Sequence, residues 1–110
     1  MNNHYQRQEY RARINRVMDF IQNNLHRPLQ LKEIAEVAHF SPYHFHRIFG
    51  ALVGETLAGF IQRVRVEKAA MRLLADRRRS VIAIALDTGF STSASLARSF
   101  RDHFGMSATQ

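Results

Sequence analysis

The chain is 110 residues long and carries 16 Lys and Arg against 9 Asp and Glu, a net charge of +7 with His neutral. That length holds one domain or two very small ones, and excludes barrel enzymes and full dinucleotide-binding domains, which need roughly 200 residues or more. Cysteine is absent, so disulfides, thiolate zinc sites and cysteine nucleophiles are excluded together, and a 45% hydrophobic content must supply the core.

The periodicity is helical nearly throughout. Ile14, Val17, Met18, Ile21 and Leu25 recur at i, i+3, i+4 and i+7 and predict a first helix, ended by Asn23-Asn24 and Pro28. Leu31, Ile34, Ala35 and Ala38 predict a short second helix. Ser41-Pro42 restarts a helix, with Ser as N-cap and Pro at the first helical position. Phe45, Ile48, Phe49 and Leu52 give it an apolar stripe, and Gly54 stops it. A long helix is expected from about Leu57 to Ala75, with Leu57, Phe60, Ile61, Val64, Met71 and Leu74 inward. Arg77-Arg78-Arg79 falls at its end, where cations suit the helix dipole. Ser80 caps a short helix, Val81 to Thr88, ended by Gly89. A last helix is expected from Thr92 to Phe104, closed by Gly105. No strand is predicted, so the fold class is all-α.

Charge is not spread evenly. Residues 1–30 hold five Arg against Glu9 and Asp19, and residues 55–79 hold seven cations against Glu55, Glu67 and Asp76. The segments 31–54 and 80–110 are each neutral. Of the 16 cations 14 are Arg, whose planar fork suits phosphates and guanine edges. A basic excess of this size points to a polyanion: nucleic acid or an anionic membrane face. No run reaches the ~18 apolar residues of a membrane span. The N-terminus lacks the order of a signal peptide, so a soluble, cytoplasmic protein is expected.

The sequence repeats once. Ile34-Ala35 and Phe40-Ser41 return as Ile84-Ala85 and Phe90-Ser91. After one inserted residue, Phe45, Arg47, Phe49, Val53 and Gly54 return as Leu96, Arg98, Phe100, Phe104 and Gly105. Each copy is a short helix, a tight turn and a longer capped helix, the pattern of a helix-turn-helix. Ala35 or Ala85 lets the helices approach, and Phe40 or Phe90 plugs the turn. The second helix is then free to present its outer face to a groove. Three segments follow: 1–54, an N-terminal helix plus a first helix-turn-helix at about 31–54; 55–79, a linker helix; and 80–110, a second helix-turn-helix at about 81–105. Nineteen residues from Leu57 to Ala75 span roughly 28 Å at ~1.5 Å each. Major-groove faces one turn apart lie ~34 Å apart, so one chain could read an asymmetric site in adjacent grooves.

These residues resemble a known family. Phe40-Ser41-Pro42-x-x-Phe45-x-Arg47-x-Phe49, Phe60-Ile61-x-Arg63-Val64-Arg65, Ala69 with Leu73-Leu74, Ile84-Ala85-x-x-x-Gly89-Phe90 and Phe100-x-x-x-Phe104-Gly105-Met106-Ser107 look like the AraC/XylS family DNA-binding domain. The resemblance covers about residues 10–107. It implies a bacterial transcription regulator, activator or repressor, with two homeodomain-like helix-turn-helix units on one linker helix, seven helices in all. It implies recognition helices at 42–53 and 92–104 entering adjacent major grooves of double-stranded DNA, with RNA polymerase a further partner. Its outward positions fall on Tyr43, His46 and Arg47, and on Ser93, Ala94, Ala97 and Arg98. Arg47 and Arg98 suit bidentate guanine contacts, Tyr43 a thymine methyl, and His46 a base edge or phosphate. The capped starts, Ser41-Pro42-Tyr43 and Thr92-Ser93-Ala94, suit phosphates.

The chain departs from the family pattern in three places. His39 stands where the second copy has Gly89, and calls for a histidine at positive φ. Ser93, Ala94 and Ala97 are small, so the second helix is expected to lean on phosphates and DNA shape. Ala108-Thr109-Gln110 ends the chain where the family's last short helix would begin, so a truncated seventh helix and an effector domain C-terminal to this chain are expected, the effector ligand binding there.

Metal-binding, catalytic and membrane roles are disfavoured by the same residues. His44 and His46 are two apart, point to different sides of a helix and have no carboxylate or Cys beside them, which disfavours a metal site. Ser41, Ser91 and Ser95 lack a triad arrangement, and no paired carboxylates or phosphate loop occur, so no enzyme and no cofactor are expected. Met18 and Met71 read as core fillers. A basic helical module docking acidic protein partners is the alternative function, and would need an apolar outward face at Tyr43, His46 and Arg47. Attachment to anionic membrane is a third, disfavoured because the apolar stripes are needed for the core.

Overall fold

Six helices and no strand make up the described residues of this computed structural model, residues 3–106, with side chains described from Gln6 onward. They are α1 (Asn3–Asn23), α2 (Leu31–Val37), α3 (Pro42–Val53), α4 (Leu57–Ala75), α5 (Val81–Asp87) and α6 (Ser93–Phe104). The all-α expectation therefore holds. The expected start of a seventh helix, at residues 108–110, lies outside the described residues.

Two compact units divide the chain. The first comprises the chain up to Asn24 together with Leu29–Phe60; the second comprises Leu25–Pro28 and the chain from Ile61 onward. The boundary falls inside α4.

In the first unit Ile14, Val17 and Ile21 of α1, Ile34, Ala35 and Ala38 around α2, and Phe45 and Phe49 of α3 are buried. Phe49 meets Phe45 and Phe60 with ring centroids 5.5 Å apart in each case, the second edge-on at 76°. Ser41 caps α3, its Oγ accepting from the His44 N–H, and Pro42 takes the first turn. Gly54 ends the helix at φ 82, a left-handed cap that costs glycine nothing.

In the second unit Val66, Ala69, Ile84, Ala85, Phe90 and Leu96 form the core, with Leu73 and Phe100 packed against it. Ser80 caps α5 by accepting from the Ala83 N–H, and Thr92 caps α6 by accepting from the Ser95 N–H. Thr88 is fully buried, and its hydroxyl donates to the Ile84 carbonyl at 2.8 Å.

The long helix corrects the sequence reading. Leu57, Phe60 and Ile61 are buried as expected, but Val64 is only half-buried, and Met71 and Leu74 are 69% and 76% exposed. Val66 and Ala69 are buried instead. At about 100° per residue Val66 lies half a turn round the helix from Leu57. The spacing predicts one periodic stripe, but the helix changes its buried face near Val64 because it serves two cores. Met71 is therefore no core filler. The helix runs from Leu57 to Ala75, as the spacing predicts, and Arg77-Arg78-Arg79, in the last part of the 55–79 linker segment, follow in a turn. There the Arg78 N–H donates to Asp76 Oδ1, and Arg79 binds the carboxylate of Asp87.

Candidate nucleic-acid interface

Each unit contains one helix-turn-helix, and both elbows close in the same way. At the end of α2 the His39 N–H donates to the Glu36 carbonyl and the Phe40 N–H to the Ala35 carbonyl, at 3.1 and 3.0 Å. At the end of α5 the Gly89 N–H donates to Leu86 and the Phe90 N–H to Ala85, at 3.3 and 2.8 Å. This pair of bonds is a Schellman motif, which needs a left-handed residue after the helix. His39 supplies it at φ 58 and Gly89 at φ 97. The expected histidine at positive φ is therefore present. It is exposed, so its side chain meets no obstruction.

The two elbows differ in what surrounds them. Phe40 is half-buried, with Tyr10 edge-on at 5.1 Å and the Arg13 guanidinium 4.9 Å from its ring centroid. Phe90 is buried in the core of its unit. Gly89 is also hemmed in: a Cβ there would come within 2.1 Å of the Leu25 carbonyl and 2.4 Å of Arg65 Nε. The Arg65 Nη2 donates to the Arg27 carbonyl at 2.9 Å. Its Nε is buried without a partner, and burial lowers the guanidinium below its ordinary pKa. Sequence reasoning placed Arg65 in a motif but gave it no task, because the loop it grips is distant in sequence.

The outward faces carry the site residues the sequence named. On α3, Ser41, Pro42, Tyr43, His46 and Arg47 are all exposed, Tyr43 at 74%. Arg47 lies with its guanidinium carbon 6.0 Å from the Tyr43 ring centroid, so the two side chains are neighbours on one face. His44 is not on that face; its ring packs 5.2 Å from Phe40 and 6.2 Å from Tyr10. On α6, Thr92, Ala94, Ala97 and Arg98 are exposed, whereas Ser93 is half-buried. At 100° per residue, Arg101 falls between Ala97 and Ala94 on that same outer face, and it too is exposed. Sequence reasoning missed it. It stood one turn beyond the positions carried over, and its counterpart in the first copy is Gly50. Phe45, Phe49 and Leu96 hold the opposite faces in their cores.

Each unit thus offers a helix with a capped start, a buried inner face and a polar outer face. The outer faces carry Arg47 in one case and Arg98 and Arg101 in the other, groups suited to phosphate and guanine edges. The face of α3 is polar and aromatic, unlike an apolar protein-docking groove. No helix among the described residues is long and apolar enough to cross a membrane.

Comparison with known proteins agrees. The chain is similar to the DNA-binding domain of the global transcriptional factor AdpA, solved in complex with a target DNA, at 28% identity and a TM-score of 0.75 over 84% of this chain and 83% of that one. An AraC-type transcriptional regulator from Chromobacterium violaceum shares the fold, with a TM-score of 0.83 and 21% identity over 90% of this chain and 88% of that one. A helix-turn-helix-type transcriptional regulator of Mycobacterium tuberculosis is 40% identical over 81 residues, 74% of this chain and 31% of that protein. The chain spans about a third of the length of several curated relatives that it matches. The family model described as a helix-turn-helix domain matches residues 34–110. On this fold, these faces and these matches, the chain belongs to the AraC-type helix-turn-helix family, the DNA-binding domains of transcription regulators.

Proposed function

We propose that the chain is the sequence-reading part of a bacterial transcription regulator acting in the cytoplasm, and that it reads one asymmetric duplex with α3 and α6 in adjacent major grooves. The observation that carries this is the pair of capped helices with buried inner faces and exposed Tyr43, His46, Arg47, Ala97 and Arg98. Arg47 and Arg98 take guanine edges, Tyr43 a thymine methyl, and His46 a base edge or phosphate. The backbone N–H groups of Ser41 and Tyr43, and of Thr92, Ser93 and Ala94, meet phosphates, and the Pro42 ring, which has no N–H, packs beside them. Arg101 adds a phosphate contact on the second helix. Apart from Arg98 and Arg101 the outer face of α6 carries small side chains, so the second groove is read more through phosphates and DNA shape than the first. A promoter-bound regulator of this kind acts on RNA polymerase.

Selection from a random duplex library, followed by footprinting on the winning sequence, tests this. The expected result is two unequal protected blocks on one face of the duplex, about one helical turn apart. Affinity should also fall steeply with salt, as counterion release requires. Equal affinity for the selected and a scrambled duplex would overturn specific reading.

A further inference from the structure

Within the first unit, α1 and α3 leave a groove on a surface that the DNA reading does not use. It has two lobes. Arg7, Tyr10, Ile48 and Leu52 line one of about 430 Å³, and Arg11, Met18, Leu52 and Val53 line another of about 240 Å³. Leu52 is common to both. Ile14, Met18, Ile48, Leu52 and Val53 make the lining surface largely apolar. Gln6, His44 and Asn15 also reach it, and no Asp or Glu is among the lining residues. Arg7 and Arg11 are exposed, one helical turn apart, and neither makes an ion pair among the described residues. Glu9, on the same helix, binds Arg13 at 2.9 Å instead.

We propose that this α1–α3 groove docks an acidic amphipathic helix from a protein partner. The lobes are strung along α1 from Tyr10 to Met18, eight residues or about 12 Å at 1.5 Å each. Two apolar side chains at i and i+7 of a helix stand about 10.5 Å apart, so one helix fills both lobes where a compact small molecule fills one. Carboxylates on the flank of that helix meet the Arg7 and Arg11 guanidinium groups, an arrangement favouring bidentate pairing. Nucleic acid fits less well, because the floor between the two arginines is apolar.

The probe is a short helical peptide with leucine at i and i+7 and glutamate on one flank. Its controls are the same peptide with lysine for glutamate and a scrambled acidic peptide that is not amphipathic. Binding to the full chain is followed by fluorescence anisotropy, with helicity checked by circular dichroism. The acidic helix should bind at least about ten-fold tighter than either control. Asn15→Glu, on an exposed α1 position in the second lobe, should abolish that binding and leave DNA affinity unchanged. Arg7→Glu with Arg11→Glu should reverse the preference toward the lysine peptide. Absent binding, or equal binding of the scrambled peptide, overturns the proposal. So does loss of peptide binding in Arg47→Ala, which would put the peptide on the DNA-reading face. If instead the double variant flattens the salt dependence of DNA binding, the two arginines are phosphate contacts and the groove has no such partner. Specific DNA reading is measured separately, so failure of either idea leaves the other standing.

Discussion

The Arg65 guanidinium occupies the space that a Cβ on Gly89 would need, with Nε 2.4 Å from that position and the Leu25 carbonyl 2.1 Å from it. The elbow of the second helix-turn-helix is therefore closed by three pieces of chain: the loop after α1, the middle of α4 and the turn itself. Gly89 is required twice, for its φ of 97 and for the absence of a side chain. Gly89→Ala must move a backbone carbonyl as well as strain its own backbone. We expect a loss of roughly 3 kcal/mol or more, read from urea unfolding. A loss under about 1 kcal/mol would show that the turn relaxes freely.

The first elbow predicts the opposite sign. His39 adopts the same left-handed conformation in the open, so His39→Gly removes a strain of about 1–2 kcal/mol and adds unfolded-state entropy worth about 0.4–1 kcal/mol. The net should lie between zero and about 1.6 kcal/mol of stabilisation. Measurable destabilisation by the same unfolding assay would mean that the imidazole does more than tolerate its backbone.

Arg47 and Tyr43 are neighbours on the exposed face of α3, and their substitutions should separate two kinds of contact. Arg47→Ala should cost roughly 1–3 kcal/mol of binding and relax selectivity at one base position. Tyr43→Ala should weaken binding less, by removing an apolar contact and the ring beside the guanidinium. Repeating library selection with each variant checks both. An equal loss on every duplex would make Arg47 a phosphate contact only.

Arg101 gives a complementary test on α6. If it meets a phosphate, Arg101→Ala should reduce the slope of log affinity against log salt by about 1 and leave the selected sequence unaltered. A change in the selected sequence would make it a base reader. An unaltered slope would place it off the duplex.

Much of this molecule was legible from one chain. The caps at Ser41, Ser80 and Thr92 and the stops at Gly54 and Gly105 are local chemistry, so the helix ends fell within a residue or two. The repeat exposed the helix-turn-helix twice, because Ala35 and Ala85 are fully buried in each copy, although Phe90 enters its core and Phe40 stays half-buried. What was illegible depends on contacts distant in sequence. A stripe through Leu57, Phe60, Ile61 and Val64 extrapolates to Met71, and nothing local reveals that Val66 and Ala69 take over. Leu25–Pro28 reads as part of the first half yet belongs to the second unit. The Arg65 bond to the Arg27 carbonyl and the Leu25 carbonyl beside Gly89 make that visible. Arg101 was missed for a simpler reason: its counterpart is a glycine.

Asp87, at the end of α5, makes a pH-dependent contact within the second unit. The hydrogen bond from Arg79 holds its carboxyl below the usual carboxylate range, with the Arg79, Arg72 and His26 charges helping and desolvation opposing. Arg72 Nη1 stands 3.7 Å from the same oxygen that Arg79 binds. A depressed folded-state pKa means that the unfolded chain takes up the proton first. The stabilisation is therefore complete above the unfolded carboxylate pKa and is lost as pH falls through the lower, folded value. The site is exposed and open to salt screening, so the effect should be modest and smaller at high ionic strength. Asp87→Asn removes the charge at every pH. The variant should be less stable than the parent at about pH 7, and the gap should close on acidification below the ordinary carboxylate range. Thermal unfolding of both proteins across that range, at low and high salt, measures it. A gap that persists unchanged to about pH 2 would show that Asp87 acts through packing or neutral hydrogen bonds, and that its two arginines contribute nothing through charge.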